Sequence, residues 1–399
     1  MKAEKERAFV VEILKQLVEI PSITGHEQQV GEYIFAELQA CGMDTVCRQD
    51  IGGNRFNVIA RMKGNKPGPT ILLTGHMDTV DAGDGWHTNP FQALVRDGRM
   101  YGRGAADMKC GIAAVLDALR VVAVHRDQLC GEILVAFVCD EEAYSAGVDS
   151  LIHRGIQADF GISAEPEWKA IIGAVGKMLI KVKVQGVAAH GNRPEFGINA
   201  IEEGGKFLAA LEQLEVLEHP RFGRQEYVTL KIEGGFKEYA VVVPEYCEFL
   251  INKHTVPGET KEFVIAGMEK LVKKLGLKAK FSFMVQHPYY PAFDLDNNIP
   301  WFGQLGEIFR EVTGEELKTD YSTGVSDNNR LVPETGIPVI CLGPKGGGVH
   351  QKDEWVDLNS VEQISLIYQK FLLPGDRKST RLNSSHLRIA YGRLCVKKK

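Results

Sequence analysis

Imidazole and carboxylate side chains gather at the ends of predicted strands in this sequence. The carboxyl ends of neighbouring parallel strands meet at one edge of a sheet, where α/β proteins bind their ligands. Side chains that follow such strands, or lie in glycine-rich loops beside them, are His76, Asp78, Asp107, Glu141, Glu142, Glu165 and His350. Buried strand ends would not gather carboxylates unless cations offset their charge. The pattern therefore predicts a metal site at this edge.

The types of these side chains indicate which metal and which reaction. Nitrogen and oxygen ligands without thiolate favour Zn²⁺, with Co²⁺ or Mn²⁺ as alternatives. A carboxylate that bridges two ions would place them about 3.5–4 Å apart, as in two-metal hydrolases. Three carboxylate ligands and one hydroxide balance two divalent ions, which leaves one of Glu141 and Glu142 free to act as a base. Asp78 lies two residues after His76, where it can hold the imidazole in its metal-binding tautomer.

Other common α/β chemistries lack their motifs here. The sequence contains no G-x-S-x-G nucleophile elbow and no P-loop. The glycine-rich segment YGRGAAD matches the dinucleotide fingerprint only to its fifth position. A single histidine or glutamate pair is more often a surface feature than a ligand, so the hypothesis depends on the combination.

Composition indicates a globular enzyme with more than one structural unit. The chain has 399 residues, of which 44% are hydrophobic and 25% charged, and this excludes collagen-like, coiled-coil and disordered classes. No apolar run is long enough to span a membrane, and the amino-terminal segment lacks the apolar region of a signal peptide. The eight cysteines form no C-x-x-C pair, which favours free thiols in the cytoplasm.

The net charge of -5 conceals an uneven distribution. The last 23 residues hold eight Lys or Arg and no Asp or Glu, so residues 1–376 carry -13. An acidic body argues against a nucleic-acid partner. We interpret the basic tail, 377–399, as a disordered terminus or a sequence artefact that resembles a translated sequencing adapter; an arm for anionic surfaces is the alternative.

Hydrophobic patterning predicts an α/β fold. Apolar runs at 70–76, 131–140 and 159–165 read as buried strands, and a helix is predicted over 108–124. This alternation predicts a mostly parallel sheet sandwiched by helices. From about Gly176 the pattern changes to half-exposed strands and helices typical of a small α+β layer. We therefore predict a discontinuous catalytic domain, 1–176 and 288–376, with an inserted lid and dimerisation domain, 177–287.

The sequence resembles the two-metal exopeptidases and deacylases that include acetylornithine deacetylase, succinyl-diaminopimelate desuccinylase, aminoacylase and glutamate carboxypeptidase. The resemblance extends from about Leu14 to Leu373. It is carried by GHMDTV, W-x-x-x-PF, DGRMYGRGAADMKCG, DEE, AEP and a late G-x-S-D…H-x-x-x-E segment, in the family's order. The implied activity is amide hydrolysis by a metal-activated water, with two metal ions as cofactors.

The resemblance also implies a role for each site residue. His76 and Glu165 would complete the first metal site, and Glu142 and His350 the second. Asp107 would bridge the ions, Asp78 would orient His76, and Glu141 would be the general base. In the segment GVAAHGNRPEFGINAI, His190 would stabilise the oxyanion. In dimeric members this histidine acts across the subunit interface, which implies a homodimer through the lid.

The sequence departs from the family pattern where many members bind a substrate carboxylate. The usual D-x-R-x-x-P segment is here Asn252 to Pro257, with His254 in place of the arginine, so His254 is a candidate substrate-binding residue. Neither histidine nor lysine reproduces the arginine fork. We expect a hydrolase acting on a small N-acyl amino acid or short peptide. The alternatives are a di- or tripeptidase that recognises a free terminus and a catalytically silent binding protein.

Overall fold

The computed structural model describes residues 2–236, 238, 240–295 and 300–373, with the side chains of 2–8 and 300 left aside. The basic tail, 377–399, lies outside these residues. The described helices are α1 (Lys2–Glu19), α2 (Gln28–Ala40), α3 (Lys109–Val124), α4 (Ala146–His153), α5 (Ala200–Ala209), α6 (Lys261–Lys274), α7 (Pro300–Thr313), α8 (Asn328–Thr335) and α9 (Leu358–Leu372).

Most of the described strands are short and belong to one of three larger sheets. In chain order they are β1 (Thr45–Gly52), β2 (Arg55–Lys63), β3 (Lys66–His76), β4 (Leu94–Arg96), β5 (Arg99–Tyr101), β6 (Cys130–Val138), β7 (Phe160–Ser163), β8 (Ala170–Ala174), β9 (Gly176–Gln185), β10 (Glu218–His219), β11 (Gly223–Arg224), β12 (Tyr227–Gly234), β13 (Tyr246–Thr255), β14 (Lys280–Val285), β15 (Phe293–Asp294), β16 (Thr319–Ser322), β17 (Val339–Cys341), β18 (Gly346–Gly347) and β19 (Trp355–Asp357).

The largest sheet has the order β1-β2-β6-β3-β7-β17-β8-β15, with β16 paired to β8. The central strands β6, β3, β7 and β17 are parallel, as the strand and helix alternation predicts. The outer pairs β1–β2, β2–β6 and β15–β8 are antiparallel, which the sequence analysis did not anticipate. The α/β prediction is confirmed, with a mixed sheet whose parallel strands lie at its centre.

Helices cover both faces of this sheet. Alternate residues of β3 point to opposite faces, so each face contributes apolar side chains to its own cluster. Ile71 and Leu73 pack into a large apolar cluster with residues of α1, α3, α7 and α9. Leu72 packs into a second cluster on the other face, with Leu151 of α4. A strand that is buried on both faces is a nearly continuous apolar run in the sequence, which is why β3 could be predicted from hydrophobicity.

A second sheet, in the order β12-β13-β9-β14, is antiparallel throughout. Strand β9 alternates buried and partly exposed residues, and its buried positions Met178, Ile180 and Val182 pack beneath α5 and α6. Strand β12 was not predicted, because nearly all its residues are exposed at the sheet edge and give no burial pattern. Helix α5 ends at Ala209, and a short 3₁₀ turn follows it at Leu211–Gln213.

The backbone crosses between the two sheets near Val175 and near Pro291, and the side chain of Asn329 is hydrogen-bonded to both segments. The Asn329 amide donates 2.9 Å hydrogen bonds to the carbonyl oxygens of Val175 and Pro291. Among the described residues, no helix combines the length and the hydropathy that a membrane span requires. The seven cysteines among the described residues are free, as predicted.

Candidate metal centre

Three adjacent parallel strands end at the edge where the predicted ligands lie. His76, the last residue of β3, pairs in register with Val138, the last residue of β6. Thr74 of β3 pairs with Ser163, the last residue of β7. The residues that follow β6 and β7 therefore leave the sheet beside His76. They include Glu141, Glu142 and Glu165.

Asp107 enters the same edge from the loop before α3 and contacts two histidines. Its Oδ1 lies 3.1 Å from His76 Nε2, and its Oδ2 lies 3.3 Å from His350 Nε2. His76 is buried, whereas the His350 side chain is about half exposed, at 51%. One carboxylate thus stands between two imidazoles that come from opposite ends of the chain.

Two glutamates complete the cluster on either side of Asp107. The Oε2 atom of Glu142 lies 2.9 Å from His350 Nε2, and Glu165 Oε2 lies 3.9 Å from His76 Nε2. One ligand atom from each of His76, Asp107 and Glu142 falls within 4.8 Å of the others. Glu165 therefore adjoins the His76 end of the cluster and Glu142 the His350 end.

Asp78 is fully buried and organises the glutamate loop as well as His76. Its carbonyl oxygen accepts a 2.9 Å hydrogen bond from His76 Nδ1, while its carboxylate approaches that nitrogen only to 3.7 Å. The carboxylate instead accepts the backbone N–H groups of Glu141 and Glu142, at 3.1 and 3.2 Å. With Nδ1 donating, Nε2 of His76 is left to face Asp107 and a metal.

Two partly buried glutamates of the site, Glu141 and Glu165, resist ionisation. Burial raises the pKa of Glu165 to about 8, with the charge of Asp107 adding to the effect. Burial also raises the pKa of Glu141 well above its usual range, and nearby acidic groups that include Asp327 add to the shift. Each of these carboxyl groups would be stabilised in its charged form by a cation.

Asp107 and His76 instead favour their charged forms, because their opposite charges face each other. Burial favours neutral Asp107, but hydrogen bonds with His350 and His76 hold the pKa of its carboxyl well below the ordinary value. Burial likewise opposes charge on His76, yet Asp107 and Glu165 keep its imidazole pKa well above the usual value. The imidazoles thus provide positive charge where divalent ions would provide more.

Two of the predicted site residues lie apart from this cluster. His190 is exposed, and its Nδ1 accepts a 3.3 Å hydrogen bond from the backbone of Asn192. His254 is half-buried in β13 opposite Lys177 of β9, and burial together with the lysine charge lowers its pKa. Within the described residues, no hydrogen bond or ion pair joins either histidine to the cluster.

Sequence reasoning missed several side chains that support the site. The hydroxyl of Thr24 donates a 2.8 Å hydrogen bond to the Asp78 carboxylate. Arg55 forms a 2.6 Å ion pair with Asp140, the residue before the two glutamates. Glu354 accepts backbone N–H groups from the loop that carries Asp107. Only Glu354 had a sequence signal, as the last residue of the H-x-x-x-E segment.

Comparison with protein families gives one match over most of the chain. The description of the family is peptidase family M20/M25/M40, and it matches residues 72–373. Among curated proteins, N-formyl-4-amino-5-aminomethyl-2-methylpyrimidine deformylase of Halalkalibacterium halodurans is 29% identical over 413 residues, covering 93% of this chain and 94% of the relative.

Solved structures share the fold at low sequence identity. Aminopeptidase PepT of Bacillus cereus superposes with a TM-score of 0.75 at 21% identity, covering 92% of this chain and 98% of that protein. A dinuclear metal binding peptidase of the M20 family from Bacillus subtilis gives 0.70 at 17% identity, covering 93% and 98%. Both pairs agree in the arrangement of their elements along nearly the whole chain.

Proposed function

The chain belongs to peptidase family M20/M25/M40, and on that premise we propose that it is a metal-dependent hydrolase that cleaves an amide bond in a small N-acyl amino acid or short peptide. The observation that carries the proposal is the position of Asp107. Its two carboxylate oxygens face His76 and His350 at 3.1 and 3.3 Å, the arrangement that a carboxylate bridging two ions requires.

The donor set supports two divalent ions, with Zn²⁺ as the first choice. Ligand atoms arranged tetrahedrally around zinc at about 2.0–2.2 Å would lie about 3.3–3.6 Å from one another. The imidazole nitrogens and carboxylate oxygens of this site are 2.9–3.9 Å apart, a range that includes this separation. The set contains imidazole and carboxylate without thiolate, so Co²⁺ and Mn²⁺ are alternatives. We assign His76 and Glu165 to one ion, His350 and Glu142 to the other, and Asp107 to both.

The residues around the ions divide the remaining work of hydrolysis. When bound, the ions polarise the scissile carbonyl and make water more acidic. Glu141 takes the proton of the attacking water and returns it to the leaving amine. Asp78 holds the glutamate loop and the tautomer of His76, which keeps Nε2 directed at the site.

We assign stabilisation of the developing oxyanion to His190 of a second subunit. The exposed position of His190, outside the cluster of its own chain, agrees with action in trans. Exposed apolar side chains of edge strand β12, Val228, Leu230 and Ile232, are each more than half accessible and provide a surface for a second copy. In this proposal residues 177–287 are the lid and dimerisation domain, and the free cysteines fit a cytoplasmic enzyme.

An N-formyl amine without a carboxylate is a second candidate substrate. The relative from Halalkalibacterium halodurans is named for a formylated aminomethylpyrimidine, and that compound's name contains no carboxylic acid. His254 occupies the place of the arginine that binds a carboxylate in many family members, and its pKa is lowered, so it carries little positive charge to replace that arginine. A free-terminus di- or tripeptidase remains the alternative.

A hydrolysis screen on metal-loaded protein tests this proposal. Substrates should include N-acetyl amino acids, the formylated aminomethylpyrimidine, dipeptides and tripeptides, each assayed with Zn²⁺, Co²⁺ and Mn²⁺. We expect hydrolysis of at least one class, with loss of activity on chelation. A protein that binds metal and hydrolyses none of these amides would favour the silent binding protein.

A further inference from the structure

Glu354 is a fully buried carboxylate that accepts hydrogen bonds from one short loop. Its Oε1 accepts the backbone N–H groups of Ala106 and Asp107, at 2.8 and 2.9 Å. Its Oε2 accepts the N–H of Gly104 at 3.0 Å and the guanidinium of Arg103 at 2.6 Å. All of these donors lie in the loop that delivers Asp107 to the metal centre.

The same residue also belongs to the segment that delivers His350. Glu354 follows His350 by four positions and directly precedes β19, which pairs with β5. The carbonyl oxygen of Glu354 accepts a 3.0 Å hydrogen bond from Gly102 at the start of the Asp107 loop. Main chain and side chain of one residue therefore join two segments that are about 250 positions apart in sequence.

The loop depends on this carboxylate because it has no regular structure of its own. Gly104 has a positive φ of 80°, and residues 104–107 form turns before α3 begins. A buried N–H group without an acceptor costs about 1–3 kcal/mol. A carboxylate can satisfy several such donors, whereas the amide of glutamine would turn its own NH₂ group toward some of them.

We propose that Glu354 is a positioning residue for both metal ions: it orients the bridging Asp107 and fixes the His350 segment against it. Arg103 neutralises the charge of Glu354, and both side chains are at most 2% exposed. The proposal rests on the two-metal function above, and it adds a residue that contacts neither ion. Its consequence is measurable as metal affinity, apart from catalysis.

The chain offers a matched control in Glu259. This carboxylate is also fully buried, pairs with Lys253 at 3.0 Å, and accepts the backbone N–H groups of Leu217 and Val256 at 2.9 and 3.0 Å. It lies beside the second sheet, away from the predicted ligands. Glu354→Gln and Glu259→Gln thus make the same chemical change in similar surroundings, but only Glu354 contacts the loop of a proposed ligand.

The experiment compares Zn²⁺ dissociation constants of the metal-free full-length proteins, measured by competition with a chromophoric chelator, and their melting temperatures. Loss of a residue that orients metal ligands typically weakens metal binding about 10–100-fold. We expect such a loss for Glu354→Gln and a change of less than about twofold for Glu259→Gln, although both variants melt at lower temperatures.

The possible outcomes distinguish failure of the positioning role of Glu354 from failure of the two-metal function. Wild-type Zn²⁺ affinity in Glu354→Gln would overturn the positioning role while leaving the two-metal function intact. Wild-type protein that binds no Zn²⁺ would overturn the function itself, and the positioning role with it. If Glu354→Gln does not fold, Glu354→Asp keeps the charge but shortens its reach. A weakened affinity in that variant supports the role, and an unchanged affinity overturns it.

Discussion

Asp107 and Glu141 lie at the same edge of the sheet, but their surroundings give them different properties. Asp107 faces two imidazoles that favour its charged form, as a bridging ligand requires. Glu141 is partly buried, and both this burial and the acidic groups beside it oppose its charge. A group whose proton is held more firmly than usual is a suitable general base, because it accepts a proton from water readily.

Glu141→Gln should reduce kcat by about 10²–10⁴-fold, because an amide cannot take the proton of the attacking water. Metal content should stay at the wild-type level, since Glu141 is assigned to neither ion. Steady-state kinetics and elemental analysis check both parts. Glu132→Gln is the control and should leave kcat unchanged, because this partly exposed residue lies in β6 near the end of the strand that is far from Glu141. Wild-type turnover in Glu141→Gln would refute its role as base.

The candidate site residues could be predicted from the sequence, whereas most of the residues that support them could not. Apolar runs in the sequence predict where three strands end, and His76, Glu141 and Glu165 lie at or just after these ends. The three side chains come together because parallel strands end at the same edge of the sheet. Thr24 reaches Asp78 across 54 positions, and no periodicity or motif announces that contact. Such contacts depend on how the chain folds back on itself, which local pattern does not encode.

At the scale of elements, the first turn of helix α3 lies very close to the segment that directly follows β7. The sequence predicts the helix over 108–124, but not its close contact with the backbone of Ala164. A Cβ atom added to Gly111 in the first turn of α3 would overlap the carbonyl oxygen of Ala164, directly before Glu165. The absence of a side chain at Gly111 therefore lets α3, which follows Asp107, pack against the segment that carries Glu165.

Gly111→Ala should lower the free energy of unfolding by about 1–3 kcal/mol, because the backbone of Ala164 cannot yield as a flexible side chain would. Urea denaturation of the metal-free protein measures the change. Gly205→Ala, on the exposed face of helix α5, is the matched control, since a Cβ there meets nothing within 4 Å. That control should be neutral or stabilising by about 0.5–1 kcal/mol. Equal stability of the two variants would contradict the close approach of α3.

At the scale of the whole molecule, each complete site as we propose it contains residues of two subunits. Among the described residues, β12 is an edge strand of the second sheet, paired with β13 on one side only, and His190 lies outside the cluster of its own chain. The sequence predicts half-exposed strands in this region, but β12 itself gives no burial pattern because nearly all its residues are exposed. Its partner therefore cannot be inferred from alternation alone.

Mixing two inactive homodimers tests action in trans. Glu141→Gln lacks the base and His190→Ala lacks the oxyanion donor, so each homodimer should be nearly inactive. After subunit exchange, half the dimers are mixed, and each mixed dimer contains one site with Glu141 from one chain and His190 from the other. Activity should recover to about a quarter of the wild-type value per chain. No recovery, despite mixed dimers on native mass spectrometry, would contradict action in trans.

The most direct test of the two-metal hydrolase is to titrate the chelator-treated protein with Zn²⁺ while following amide hydrolysis. The substrate is whichever amide of the screen reacts fastest. We expect no turnover without metal and a rise in activity that saturates at two equivalents of Zn²⁺ per chain. Full activity in the chelated protein, or saturation at a single equivalent, would contradict it.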